Sequence, residues 1–384
     1  MSPRVILFFA NFFLSVLTAL SVYVLLPFLS TLMPIAYTGL VVAGGGLAAI
    51  ILFPFMPRLV ARYGAQKLAL IFAFVEMVTL FVLAAAPGAV ASVLLVITMI
   101  MVQPFVSYEL DLLLEATGAK EGSTGRVRTA FLTAWNIGGF ITPLLIGALL
   151  ANSDVYGRVF IAAAAAAIPF IVLFATRRLP SGEVPQPSHM KDTLTCILHN
   201  RDLAAVSAGH IILWFFYVWA PLYIPIYLHS VLGFSWMDLG WIFSLMLIPY
   251  VLIEYPAGWV ADRFIGDKEL MLAGFLVAGS ALASISLLKS SSSLILILCI
   301  LIISRCGAAL IESMTEGHFF RRVSEKDINS VSFFRAAWPL AYIIAPLIGS
   351  TILFFGSYQL FFIITGAFVA IAGSIATLLV KDFR

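Results

Sequence analysis

Residues 5–34 read VILFFANFFLSVLTALSVYVLLPFLSTLMP and carry no charged side chain. A helix needs about 20 apolar residues to cross the hydrocarbon core of a bilayer, so this run spans a membrane with turns to spare. It is too long for the apolar stretch of a signal peptide and lacks a small-residue cleavage site, so it is expected to be retained as the first span. Runs of the same kind recur near 35–57, 66–87, 89–116, 125–150 and 156–176, then near 203–229, 236–258, 268–288, 292–317, 327–355 and 358–380. Barrel strands would be half as long and would alternate in polarity, so the sequence predicts an all-α integral membrane protein with twelve transmembrane helices.

The whole composition agrees. Of 384 residues, 62% are hydrophobic and 11% charged, against about 25% charged in a soluble domain, and the mean hydropathy is +1.07. A water-soluble globule is excluded. Twelve spans leave almost no chain for an extramembrane domain, so function must lie between helices. Cys196, Cys299 and Cys306 stand at spacings that suggest neither a disulfide framework nor a zinc site. No GxxxxGK[ST] loop is present to hold a nucleoside triphosphate, and no HExxH or GxSxG motif supplies hydrolytic chemistry. An ATP-driven pump and an intramembrane enzyme are therefore disfavoured, and nothing points to a nucleic-acid partner.

Between the sixth and seventh runs the composition changes. Residues 177–202 hold Pro180, Pro185 and Pro187 among many ionisable side chains. This linker divides the chain into residues 1–176 and 203–384, and its basic, amphipathic character suggests a segment lying on the membrane surface. With both termini in the cytoplasm, most of the 22 Lys and Arg residues fall on cytoplasmic segments or helix ends, while Arg158 and Lys289 face the other side. That asymmetry predicts an N-in, C-in topology in the cytoplasmic (plasma, or inner) membrane.

The two halves repeat each other. Glu109 and Glu312, Trp135 and Trp338, and Pro143 and Pro346 are all separated by 203 positions. Three matches at one offset indicate a duplicated bundle. The loop after the second span repeats as well: Pro57-Arg-Leu-Val-Ala-Arg62-Tyr-Gly64-Ala-Gln-Lys67 matches Gly258-Trp-Val-Ala-Asp262-Arg263-Phe-Ile-Gly266-Asp-Lys268.

In this loop the sequence resembles the major facilitator superfamily, whose pattern between the second and third spans is G-x-x-x-D-R-x-G-R-K, echoed between the eighth and ninth. The second copy keeps Gly258, Asp262, Arg263, Gly266 and Lys268 with one inserted residue, whereas the first has Pro57 and Ala61 in place of the glycine and aspartate. Span five, Gly138-x-x-x-Thr142-Pro143-x-x-x-Gly147, is similar to a glycine-proline motif common in the superfamily's antiporters. The resemblance implies two pseudo-symmetric six-helix bundles around a cavity lined mainly by spans one, four, seven and ten, opening alternately to either side of the membrane. Spans three, six, nine and twelve then form a lipid-facing scaffold, to which the Ala162–Ala167 run is suited. A monomer working in the bilayer on a small-molecule solute is expected, with no cofactor beyond a coupling proton.

Ionisable side chains at membrane depth are costly, so each is a functional candidate. On span ten Arg305, Glu312 and Glu316 share one helical face. Arg305 is the candidate to hold a polar or anionic solute group, and Glu312 and Glu316 are candidates to take up and release a proton or to close a cytoplasmic gate with Arg263 or Arg335. Glu109 duplicates Glu312, but Val102 stands where Arg305 would recur, so the two halves differ. Many proton-coupled members of the superfamily carry an arginine in span four, which this chain lacks. Glu109 has Arg128 as an alternative partner, and Asp111 and Glu115 have Arg62 or Arg128. On span seven His210, Trp214 and Tyr217 form one stripe, with His210 as a proton-coupling candidate and the two rings as solute contacts. Asn11, Gln103 and Asn136 are uncharged candidates for solute binding. Glu76, on a scaffold span, is expected to pair with Asn136 or a backbone group. Arg62, Gly258, Asp262, Arg263, Arg335 and Glu254 make up the expected cytoplasmic gate.

The resulting expectation is a proton-coupled secondary transporter, leaning to efflux of amphipathic or drug-like compounds. The alternative is coupled or facilitative uptake of an organic anion or sugar-like metabolite, and a non-transporting sensor is the reading from another class.

Overall fold

A computed structural model of the chain describes residues 2–117, 124–180, 200–323, 334 and 336–381. Twelve helices among them are long and apolar enough to cross a membrane: α1 Pro3–Ser30, α2 Ile35–Tyr63, α3 Ala65–Ala84, α4 Ala89–Ala116, α5 Ala130–Leu150, α6 Gly157–Thr176, α7 Arg201–Val231, α8 Trp236–Ala261, α9 Asp267–Leu287, α10 Leu294–Arg322, α11 Ala337–Phe355 and α12 Tyr358–Leu379. The expected spans agree with these to within a few residues at most ends. The segment expected to lie on the membrane surface falls largely on residues 181–199, outside the described residues.

In lipid every backbone polar group must be satisfied within its own segment, which is why these apolar runs are helical although several contain proline. Pro27, Pro104, Pro143, Pro169 and Pro346 all lie inside helices. Behind Pro143, the Thr142 hydroxyl donates to the Gly138 carbonyl at 2.8 Å. Helix starts are capped where a small polar residue precedes the apolar run: Ser293 Oγ accepts from the Leu296 amide at 3.2 Å and Ser357 Oγ from the Leu360 amide at 3.3 Å. The repeated loop turns at the same place in both copies, with Gly64 at φ 80° and Gly266 at φ 100°, a conformation that side chains other than glycine rarely adopt.

The chain forms two compact units. The first is Met1–Pro187 together with Leu228–Ser244, and the second is Ser188–Tyr227 together with Leu245–Arg384. The end of α7 and the start of α8 thus belong to the first unit. In that unit α1 packs on α4, α5 and α6, α3 on α4 and α6, and α2 on α4. In the second, α7 packs on α10, α11 and α12, α9 on α10 and α12, and the later half of α8 on α10. Adding six to each helix number turns the first set into the second, so the duplication seen in sequence is a duplication of packing. α1 and α7 are the most buried helices. Ala163, Ala164 and Ala167 of α6 are buried and Ala165 is exposed, so the alanine run lets one helix face approach its neighbours closely.

Candidate functional site

The polar stripe of α7 lies in the second unit against α10 and α11. The Tyr217 hydroxyl donates to Glu312 Oε2. One turn earlier, the Trp214 indole Nε1 donates to His210 Nε2 at 3.0 Å. An indole nitrogen only donates, so His210 Nε2 must be an acceptor and the ring hydrogen must sit on Nδ1. Nδ1 lies 3.5 Å from Thr315 Oγ1, whose hydroxyl donates to the Ile311 carbonyl at 2.8 Å. The His210 ring is stacked on Phe334 at 3.8 Å. Phe334 stands 203 positions from Phe131, where Asn11 Nδ2 donates to the backbone carbonyl at 2.8 Å. The phenylalanine of each repeat thus meets a polar side chain from the first helix of its unit, an amide on the Phe131 carbonyl and an imidazole on the Phe334 ring.

Around Tyr217 and Glu312 stand further rings that the sequence did not mark as solute contacts. Trp214 meets Tyr217 at 5.6 Å and Trp338 at 6.3 Å; Trp338 meets Tyr342 at 6.0 Å, and Tyr217 meets Tyr250 at 6.1 Å. Glu312 and all five rings are half-buried. The repeat of Trp135 by Trp338 was the one sequence signal that could have drawn this ring into the group.

Arg305 is 4% exposed. Its guanidinium lies over the Phe216 ring at 5.0 Å and donates to Ser304 Oγ at 3.4 Å. It forms no ion pair among the described residues, and its shared helical face with Glu312 does not give the two side chains equal exposure.

In the first unit Glu109 is fully buried, and neither carboxyl oxygen has a hydrogen-bond partner among the described residues. Gln103 is also buried, with its Nε2 unpartnered among the described residues. Asn136 is exposed. Glu76 is fully buried too, but it does not pair as expected. Both of its oxygens lack a hydrogen-bond partner among the described residues, so neither Asn136 nor a described backbone group satisfies it.

Two of the expected gate arginines stack on aromatic rings. Arg263 is exposed with its guanidinium 5.1 Å over the Trp259 ring, and Arg62 is exposed 5.3 Å over Tyr63. Neither forms an ion pair among the described residues. Arg263 thus does not hold Glu312 or Glu316, and Arg62 does not hold Asp111 or Glu115; stacking on a neighbouring aromatic leaves the charged head in water instead. Gly258 is half-buried with open space where a Cβ would stand. Arg335, and the side chains of Glu254, Asp262 and Arg128, lie outside the described residues.

Two networks were not anticipated. At the end of the second unit where α7 and α9 begin, buried His318 of α10 sets Nδ1 3.1 Å from Asp267 and Nε2 3.4 Å from Asp202. Arg321 pairs with Asp267 and Arg322 with Asp202. The Lys381 amide donates to Asp202 at 2.6 Å, and Lys268 Nζ donates to the Leu378 and Val380 carbonyls at 3.0 Å each. This network joins the ends of α7, α9, α10 and α12.

In the first unit, His229 faces Asp154 through Nε2 and the Phe234 carbonyl through Nδ1, both at 2.8 Å. The Trp236 indole donates to the same Asp154 oxygen at 3.2 Å. Burial, with the Asp154 carboxylate second, pushes the nearby Tyr156 phenol up. Ser244 donates to the Phe140 carbonyl at 2.6 Å. Between these bonds α5 and α8 meet at glycines: a Cβ on Gly240 would lie 2.7 Å from the Pro143 carbonyl and one on Gly147 2.9 Å from the Trp236 carbonyl. The glycine-proline motif of α5 is thus the surface on which the start of α8 rests.

No curated protein matches the chain. Among solved structures it is similar in fold to the nucleoside transporter NupG, with a TM-score of 0.75 at 14% identity over 99% of this chain and 100% of that one. It is also similar to a peptide transporter, POT, in complex with sulfate, with a TM-score of 0.75 at 14% identity over 97% and 93%. A POT family transporter in complex with a thioalcohol-conjugated peptide gives a TM-score of 0.76 at 11% identity over 97% and 94%. The family model described as Major Facilitator Superfamily matches residues 7–315 and 224–382. With twelve apolar helices, a repeated packing plan and a family match along nearly its whole length, this chain belongs to the Major Facilitator Superfamily and is a membrane transporter, not an enzyme.

Proposed function

We propose that the protein is a proton-coupled secondary transporter that exports amphipathic or drug-like solutes by alternating access. It would work as a monomer in the plasma membrane with both termini in the cytoplasm. The observation that supports coupling is the contrast between the duplicated acids. Glu109 is buried without a hydrogen-bond partner among the described residues. Glu312 is half-buried and accepts the Tyr217 hydroxyl. Carboxyl groups are the side chains in these spans best suited to carry a coupling proton, and the duplicated pair stands in two different surroundings. The His210 ring accepts the Trp214 indole and stacks on Phe334, which suits a packing role. The similarity of α5 to an antiporter motif favours the outward direction.

The test is transport in proteoliposomes with an imposed pH gradient. Glu109→Gln combined with Glu312→Gln is expected to abolish accumulation against a solute gradient while leaving downhill flux. Gradient-driven accumulation that survives both changes refutes the coupling.

A further inference from the structure

The repeated loop is charged differently in its two copies. In the second unit the cations of this end are engaged: Arg321 pairs with Asp267, Arg322 pairs with Asp202, and Lys268 caps α12 through the Leu378 and Val380 carbonyls. Counted from the turn glycines Gly64 and Gly266, α3 begins with Ala65, Gln66 and Lys67 where α9 begins with Asp267, Lys268 and Glu269. One turn before the glycine, Ala61 stands where the second copy has Asp262. The first copy has therefore lost the acids of the second. Gln66 does for α6 what Lys268 does for α12. Its amide nitrogen donates to the Phe174 carbonyl at 2.6 Å and to the Arg177 carbonyl, and its oxygen accepts the Leu179 amide at 3.0 Å. A neutral side chain thus fastens the end of α6 to the start of α3 and leaves Lys67 out of the cap.

Five cations collect at this end of the first unit. Arg58 and Arg62 lie one turn apart at the end of α2, Lys67 lies in the first turn of α3, and Arg177 and Arg178 follow α6. All five are exposed, and none forms an ion pair among the described residues. The sequence supplies one acid, Glu183, between Arg178 and Lys191, so the cations stay in excess. The Tyr63 ring gathers two of them, with the Arg62 guanidinium at 5.3 Å and the Lys67 ammonium at 5.8 Å. From Lys67, the residues Ile71, Phe74 and Val78 follow at helical spacing and are 45%, 53% and 42% exposed. α3 therefore presents one stripe that is charged at its start and apolar for the next three turns, the order of groups in a phospholipid. A bias of Lys and Arg toward one side of the membrane accounts for cations on both units alike, but not for acids kept in one copy and lost in the other.

We infer that this end of the first unit is a binding site for an anionic phospholipid, its phosphate held by Arg62, Lys67 and Arg178 and an acyl chain lying along Ile71, Phe74 and Val78. A lipid whose headgroup also carries an ammonium is disfavoured there, because the same cations repel it. The inference rests on the membrane spans alone, so neither the coupling nor the direction of transport bears on it.

The purified full chain in detergent is offered phosphatidylglycerol and phosphatidylcholine with the same acyl chains, and retained lipid is measured by native mass spectrometry and by exchange of fluorescent analogues. Phosphatidylglycerol is expected to bind saturably and in preference to phosphatidylcholine. Arg62→Gln, Lys67→Gln and Arg178→Gln should each lower that preference roughly fivefold, the scale of one cation at a lipid surface, and together should remove it. Arg263→Gln, the matching change in the second copy, should leave it within about twofold, since that arginine adjoins an acid in sequence. Ile71→Ser combined with Phe74→Ser should weaken phosphatidylglycerol, and inorganic phosphate should not displace it. Should the combined cation variant fail to give a monodisperse protein, the single variants carry the test.

Equal retention of the two lipids overturns the inference, as does a preference that survives loss of all three cations. A preference lowered as much by Arg263→Gln as by Arg62→Gln overturns it in favour of the diffuse attraction of a basic surface. Displacement by inorganic phosphate, with indifference to the Ile71 and Phe74 changes, overturns it in favour of a soluble anion.

Discussion

The Trp214 indole and the His210 imidazole, one helical turn apart on α7, are joined by a 3.0 Å hydrogen bond in which histidine can only accept. The bond fixes the tautomer, and the Phe334 stack fixes the ring. Replacement of His210 by alanine therefore removes packing and strands a donor, at a cost of about 2 kcal/mol. Thermal denaturation of the purified variant should show that loss. The shape of the pH profile of transport should stay as in the unmodified protein, and a shifted profile would return His210 to the proton path.

Glu109 poses the opposite case. Its oxygens give up no hydrogen bond among the described residues, so Glu109→Gln should fold with a stability within about 1 kcal/mol of the native chain or above it. Gradient-driven transport should nevertheless fall. A melting experiment paired with a vesicle assay checks both halves of this expectation.

Glu76 is also buried with both oxygens unpartnered among the described residues, on a helix expected to be scaffold. Glu76→Met keeps the volume and removes the desolvated acid, so stability should rise by about 1 to 3 kcal/mol with transport unchanged. A transport loss without unfolding would give this carboxyl a role in coupling.

The Asp202–Arg322 pair is nearly buried, with Asp202 at 3% exposure and Arg322 at 16%. Arg322→Ala leaves the Asp202 carboxylate with the Lys381 amide and His318 but without its guanidinium, and should cost about 1 to 3 kcal/mol. Arg263→Ala, which removes an exposed guanidinium from Trp259, should cost under about 1 kcal/mol. Denaturation of the two variants side by side measures the contrast.

Gly240 has no room for a side chain against the Pro143 carbonyl and Gly147. Gly240→Leu should therefore push the start of α8 off α5 and lower stability by about 1 to 3 kcal/mol. Gly258→Ala, which meets open space, should not.

The spans were legible because lipid imposes one solution on a long apolar run, and the duplication because Glu109, Trp135 and Pro143 recur at a single offset. The stripe of His210, Trp214 and Tyr217 followed from helical spacing, and the structure keeps it on one face. Which partner each side chain meets did not follow. His318 is 51 and 116 positions from Asp267 and Asp202, and Asp154 is 75 from His229; no local period reports such pairings. Depth along a helix was readable for Arg305, but exposure was not, because Phe216 of another helix covers it. Arg62 and Arg263 miss their expected acids for a related reason: each has an aromatic ring within reach only a few residues away in the chain, which opposite charge alone does not anticipate.

The first unit includes Leu228–Ser244, which the chain supplies only after it has passed through most of α7. A gene divided at the linker would therefore encode an amino-terminal product missing part of its own wall, and a carboxy-terminal product carrying that part as a loose tongue.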